Sequence, residues 1–526
     1  MGNPLTSWIT TAALAACAAA PRASLADDPQ CFGAVGPDLI VGNIPNATNY
    51  SNVGSVEAFS FGADICNLGT VDAAFQTNTT RHPILSQGLF RLKDGRFEQI
   101  GQSWVMHTFV ALAQNQCGCG CNGHGASVLG SGCSDPESSS ITGSQFVLGP
   151  KSEVNAAIGT FVMPFGQGDQ GSSGNPIYKR LQAHVSDLDP SQNGGGQYIV
   201  ELRVIAADDA AAGNSANNSS YREVQFSGAG ETWNVSITPQ SQTLRGQSAI
   251  RAWRASDPMV SETEVLVPGD GLLILAAKAT DLGAGWWHYE YALQNIDGDR
   301  AAGSLMIPLP SGVSVDSIGF HDVDYHSGEP FDGTDWTGAA GSQEVAWATD
   351  DFAVNPNANA LRWGTLYNFR FDADREPGTI SAEIGLFKPG TPAALSVHTI
   401  GPATCSDNNT CTDDSFDGAL GCQYAPRLGP CDDGDPCTRN DTCDDAATCL
   451  GSPVVFGDVF PIGIGDGIVE LGDILCLVAG YDVLADCPDG DIIPCGGGDG
   501  LIELSDLMAG LDGYSGIDTC LTPCPP

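Results

Sequence analysis

The chain predicts a mainly β protein: two β-sandwich or jelly-roll-like domains followed by two small appendages. Short alternating or β-branched runs, such as Tyr198-Ile-Val-Glu-Leu-Arg-Val-Ile205, recur between stretches rich in Gly, Asn and Ser. No long 3.6-residue apolar period precedes residue 400. Beyond that point the texture changes twice, first to a dense run of cysteines and then to one pattern written in two copies. The boundaries that follow are 1–26 for an export signal, 27–259 and 260–400 for the sandwiches, 401–452 for a Cys-rich spacer and 453–526 for the duplicated tail.

Met1–Ala26 reads as a processed signal. Trp8–Ala20 is apolar and too short to span a bilayer, and Ser24-Leu25-Ala26 offers a small-x-small cleavage site. The positively charged n-region is missing. The competing account is lipidation at Cys17, since Leu14-Ala15-Ala16-Cys17 resembles a lipobox. Removing Cys17 from the 19 cysteines leaves an even number, as a disulfide-bonded chain in an oxidising compartment requires. The expected location is therefore extracellular or on the cell surface, with no transmembrane segment in the mature chain.

Within 27–259, Arg91–Ile100 predicts a hairpin whose Asp94-Gly95 supplies the positive φ angles of a tight turn. Cys117, Cys119, Cys121 and His124, with Cys133 nearby, admit a thiolate metal site. Their one-residue spacing and the export signal favour disulfides instead. His184, Asp187 and Asp189 read as a turn in preference to a metal cluster.

Within 260–400, Leu272–Ala277 predicts a buried strand. The run Trp286–Leu293 predicts the next, with Trp287, Tyr289 and Tyr291 on one face and Trp286, His288 and Glu290 on the other. The aromatic face is read as sandwich core, the alternative being a polysaccharide-binding surface. Leu366–Asp372 alternates in the same way. On a strand, Asp322, Asp324 and His326 share a face, which makes His321–His326, followed by Glu329, Asp332 and Asp335, a candidate for metal or acid–base chemistry; the plainer reading is a polar loop. The short hydrolase and phosphate-loop signatures are absent, but glycosidases have none, so catalysis stays open.

Residues 401–452 carry Cys405-x5-Cys411-x10-Cys422 and then Cys431, Cys437, Cys443 and Cys449, two diverged copies of an acidic knot too poor in apolar residues to fold without staples. The segment resembles spacer modules of large bacterial surface proteins.

In the tail every matched position is offset by 33, from Gly457-Asp458 against Gly490-Asp491 to Gly480-Tyr481 against Gly513-Tyr514. The two copies require each other to bury an apolar face. Asp466-Gly467 and Asp499-Gly500 provide a carboxylate–glycine step. Glu470 and Glu503 follow three residues after the Gly and Asp473 and Asp506 six after, the spacing of an EF-hand-type calcium loop. A short apolar helix follows each, so the closing carboxylate stands where the helix dipole favours it.

At these residues the tail resembles a type I dockerin, a duplicated loop–helix module. That resemblance implies two Ca²⁺ sites, formed from Asp458, Asp466, Glu470 and Asp473 in one loop and Asp491, Asp499, Glu503 and Asp506 in the other. It also implies docking onto a cohesin-like protein or cell-surface scaffold. The loops depart from the family at Ile464 and Gly497, where Asn is usual. Either the loop bulges so that Asp458 and Asp491 still reach the metal, or each site is one carboxylate short.

The formal charge is −42, and residues 401–526 hold 23 Asp and Glu against only Arg427 and Arg439. Such a surface repels phosphates, so nucleic-acid binding is excluded, and it suits divalent cations. The expected function is a secreted or surface β-sandwich protein, structural or ligand-binding, attached through a calcium-loaded tail. The alternative is a polysaccharide-degrading enzyme or carbohydrate-binding accessory tethered in the same way.

Overall fold

The computed structural model describes residues 29–108, 110–403, 405, 407, 409–417, 421–433, 438–453, 457, 459, 468–481, 487–488, 492 and 501–515. Residues 1–26, where a signal or a lipidated Cys17 is expected, lie outside the described residues.

The molecule is mainly β, and residues 29–403 form four layers of sheet. The outermost layer joins Leu39–Asn43, Ala63–Asn67 and Ser134–Glu137. It covers one face of a ten-stranded antiparallel sheet in which Gln197–Ile205 lies between Ile84–Lys93 and Ser219–Ala229. The third layer is five-stranded, with Leu272–Gly283, Trp286–Asn295 and Thr365–Ala373 adjacent. The fourth, also five-stranded, runs from Thr337–Ala340 to Ala394–Pro402.

Three apolar cores separate these layers, and strand alternation allots side chains among them. Leu89, Val200, Leu202 and Val204 point to the first core, whereas Phe90 and Ile199, one residue out of phase, point to the second. Ile274, Ala276, Ala292 and Leu366 meet them from the third layer. The opposite face of the third layer carries Leu275, Tyr289, Tyr291, Tyr367, Phe369 and Phe371 into the last core. Tyr289 and Tyr291 are completely buried. The aromatic face is core, as read from the sequence.

The middle core differs from the outer two in its polar content. Gln99 accepts from Leu366 N through Oε1 at 2.7 Å, and Asn368 Nδ2 donates to Phe97 O at 2.8 Å. These two amides act as rungs between strands of different sheets. Arg203 Nη2 donates to Asp297 Oδ2 at 3.0 Å, and Arg96 Nε to Glu290 Oε2 at 2.9 Å. Each of these polar groups is paired across the seam, which offsets the cost of removing it from water.

The predicted hairpin turns at Asp94 and Gly95, with φ of 52° and 80°. Cys31–Cys119, Cys66–Cys117 and Cys121–Cys133 are disulfides, so the Cys117–Cys133 cluster holds no free thiolate. In the spacer the bridges are Cys405–Cys422, Cys411–Cys443 and Cys431–Cys449. In the tail Cys476 joins Cys487. No helix among the described residues is long and apolar enough to cross a membrane.

Two outcomes follow from the buried polar pairs. Asp297→Ala leaves Arg203 buried and unpaired and should cost about 3–5 kcal/mol in chemical denaturation. The second concerns His107, buried with Nδ1 3.0 Å from His82 Nε2 and its ring stacked on Phe165. Burial, then the neighbouring His82, pushes its imidazole down to about 3. The native state keeps His107 neutral while the unfolded chain takes up a proton below 6.5, so this stability is present above 6.5 and is lost as pH falls towards 3. His107→Gln should flatten that acid limb relative to the parent chain in urea melts at stepped pH.

Candidate functional site

The tail is built on two helices, Leu471–Gly480 and Leu504–Tyr514. Each begins with a reciprocal capping box. Glu470 is the N-cap of the first, its side chain accepts from the N3 amide, and Asp473 at N3 returns the bond to Glu470 N at 2.7 Å. Glu503 and Asp506 repeat the arrangement, with Asp506 Oδ2 accepting from Glu503 N at 2.9 Å. The second oxygen of each aspartate reaches back along the loop. Asp473 Oδ1 accepts from Val459 N at 2.7 Å and Asp506 Oδ1 from Ile492 N at 2.8 Å. Both aspartates are buried, and Val459 and Ile492 are themselves offset by 33. The duplicated sequence therefore folds into duplicated geometry, in which a buried carboxylate ties the loop entrance to the helix start.

The helices meet tightly. A Cβ on Gly510 would lie 2.2 Å from Leu477 Cδ1, and one on Gly480 2.6 Å from Ile502 Cδ1. Val459, Cys476, Leu477, Cys487 and Ile502 form the small core.

Of the eight residues expected to hold calcium, Glu470, Asp473, Glu503 and Asp506 are described. Asp458, Asp466, Asp491 and Asp499 lie outside the described residues. The described donors are all carboxylate oxygens, the chemistry of a hard cation. Glu470 and Glu503 also cap their helices, a role that the loop spacing did not reveal.

Outward, the helices present the same apolar stripe twice. Leu471, Leu475 and Val478 on the first and Leu504, Met508 and Leu511 on the second are 39–65 % exposed. Ile468 and Tyr481 extend the first stripe, Leu501 and Tyr514 the second. All five pairs obey the offset of 33.

A second region gathers residues that the sequence left apart. A groove of about 170 Å³ between the first and second sandwiches is lined by His184 and Asp187 from one side and His321, Asp322, Asp324 and His326 from the other. The strand Val315–His321 stops before the candidate cluster, so Asp322, Asp324 and His326 lie in a loop, the plainer of the two readings, and do not share a strand face. The first half of the strand is irregular, with Ser317 at φ 54° and a register break between Asp316 and Gly319; pairing resumes at Gly319 and ends at His321. His326 turns into the seam, where Nε2 donates to Gln102 O at 2.9 Å, and burial pushes its imidazole down to about 4. Asp322 accepts from Asn359 Nδ2, and burial raises its carboxyl. Asp187 pairs with Arg91 at 3.1 Å. His184 accepts from Ser186 N and Asp189 from Ser191 N, as a turn requires. Asp324 is exposed. Burial alone would raise Glu98 beside the groove, but His321, Arg91 and Arg96 hold it below the usual carboxylate range. Most of these groups are thus held by partners outside the set: Asn359, Gln102, Arg91 and Ser186.

A buried carboxyl pair lies elsewhere. Asp135 and Glu137 are neighbours on one strand, and burial raises both. In the spacer, Asp432, Asp433 and Asp441 bring carboxylate oxygens within 4.8 Å of one another. Neither grouping was singled out from sequence, where each is only a run of acidic residues.

Comparison with known proteins finds no family model that matches the chain and no curated relative.

The capping geometry lets loop closure be tested apart from the expected metal ligation. Asp473→Asn with Asp506→Asn keeps an oxygen for the Val459 and Ile492 amides but removes the charge, so it should retain helix content by circular dichroism and lose calcium uptake by calorimetry. Asp473→Ala with Asp506→Ala removes both acceptors and should cost about 1–2 kcal/mol per helix start as well. Unchanged calcium binding in both pairs would sink the assignment.

Proposed function

We propose that the chain is a secreted or cell-surface β-sandwich protein that attaches to a cohesin-like partner through a calcium-dependent, dockerin-like tail. The observation that carries this reading is the duplicated apolar stripe. Ten large side chains are 39–65 % exposed, seven of them on the two helices, and the same positions recur in both copies. A folded acidic module has no internal need to expose them, and paired exposed apolar stripes mark a protein-binding surface. Burying one such side chain contributes about 1.5–3 kcal/mol, so three per helix suffice for specific association.

Calcium supports the same surface from below. Two cations within the loops would offset repulsion among the carboxylates and fix both helix starts, and the stripes are displayed only when the helices hold their angle. The body contributes stacked sandwiches, the first of them tied by three disulfides. Among the ionisable groups of its groove, Asp187, Asp322 and His326 serve packing contacts, which favours a structural or ligand-binding role for residues 27–400.

The test is capture of the full chain by a panel of immobilised cohesin domains in calcium and in chelator. Binding should require calcium. Leu475→Asp or Met508→Asp alone should weaken it by less than tenfold, since the other helix presents an equivalent stripe, and the double variant should abolish it. Equal capture in chelator, or a double variant that binds like the parent, would overturn the reading. Release of reducing ends from polysaccharides by the same preparation would favour the tethered enzyme.

A further inference from the structure

Lys and Arg number only 21 against 63 Asp and Glu, yet Lys151, Arg362 and Lys388 line one cavity between the two sandwiches. The cavity measures about 50 Å³, room for on the order of four waters or one small polar group. Lys151 is 5 % exposed and Arg362 8 %. Lys151 Nζ donates to two neutral acceptors, Gln102 Oε1 at 2.9 Å and Gly364 O at 3.3 Å, and sits 4.8 Å over the Trp363 ring. The Arg362 guanidinium lies 3.6 Å over the Phe331 ring and donates through Nη2 to Pro356 O and Ala358 O. Its Nε is buried with no partner. Neither cation forms an ion pair among the described residues. Lys388, at the more open rim, pairs with Asp299 at 2.8 Å.

Two buried cations with no bonded carboxylate are costly unless an anion joins them. The acids beside the cavity are engaged elsewhere: Asp299, which lines it, pairs with Lys388, and Glu329 accepts from Lys151 N at 2.6 Å and Ser152 N at 3.2 Å. An arginine with a free Nε beside a lysine is a donor set for a carboxylate. The cavity is flanked by the planar rings of Tyr325, Phe331 and Trp363, which suit a flat group better than a tetrahedral one.

We propose that this cavity binds the carboxylate group of a small ligand, with Arg362 and Lys151 as the anchoring donors and residues of both sandwiches enclosing it. The site is separate from the tail and independent of calcium. Its pH dependence follows from the groups facing Lys151: Glu201, Glu329, His326, Tyr325 and Arg362. Burial pushes the Lys151 ammonium down to about 8, with Glu329 and Glu201 opposing. A bound carboxylate raises it again, so binding and proton uptake are linked, and affinity falls as pH rises from 7 to 9.5.

The experiment is titration of the full chain with ¹³C-acetate at fixed ionic strength, read by line broadening, with sulfate and phosphate as parallel arms. Saturable acetate binding at pH 7, roughly tenfold weaker at pH 9.5 and lost in Lys151→Gln, is expected. Lys388→Glu changes only the rim and should fold as the parent while weakening acetate roughly tenfold. It therefore decides the matter even where Lys151→Gln fails to fold. Absence of saturable acetate binding, binding of sulfate or phosphate alone, or acetate binding unaltered by Lys388→Glu would overturn the proposal.

Discussion

The seam between the two inner sheets is the constraint on which the rest of the body depends. Gln197–Ile205 and Trp286–Asn295 are buried on both faces, so every polar side chain they carry must find a partner in protein. Arg203 with Asp297, Glu201 with Gln294 and Arg96 with Glu290 meet that demand across the seam. Since these pairs are directional, they fix one docking of the sandwiches where apolar contact alone would tolerate several. The cavity at Lys151 and the groove at His321 both lie along this junction and inherit its rigidity.

Much of the body was legible in the sequence because its signals are local. The Asp94-Gly95 turn, the Trp286–Leu293 alternation and the cysteine spacing each depend on a few neighbouring residues, and each is realised. The stacking of the sandwiches was not legible. Glu201 and Arg203 stand in a run that signals only a strand, and their partners lie 93 and 94 residues away. Periodicity assigns a residue to a face without saying what covers that face. Asp322, Asp324 and His326 show the same limit: their alternation left a shared strand face open, but the strand ends at His321 and they lie in the loop that was the plainer reading.

In the tail the reverse holds. An offset of 33 is a long-range statement written directly in the sequence, and it carried through to paired capping boxes and paired apolar stripes. What spacing alone left ambiguous is that a closing aspartate serves two ends. Asp473 and Asp506 are short enough to reach both the helix amide and the loop entrance, so one residue both caps the helix and sets the loop's length.

The spacer's bridges have a mechanical consequence. Extended without them, the stretch from Cys405 to Cys449 would reach roughly 150 Å. With Cys405 joined to Cys422 and Cys431 to Cys449, only the nine residues from Cys422 to Cys431 can pay out under tension, about 30 Å. Cys411–Cys443 braces the same stretch from the other side. A chain anchored at its tail and pulled by its body would thus transmit force through covalent sulfur links and behave as a short strap of nearly fixed length.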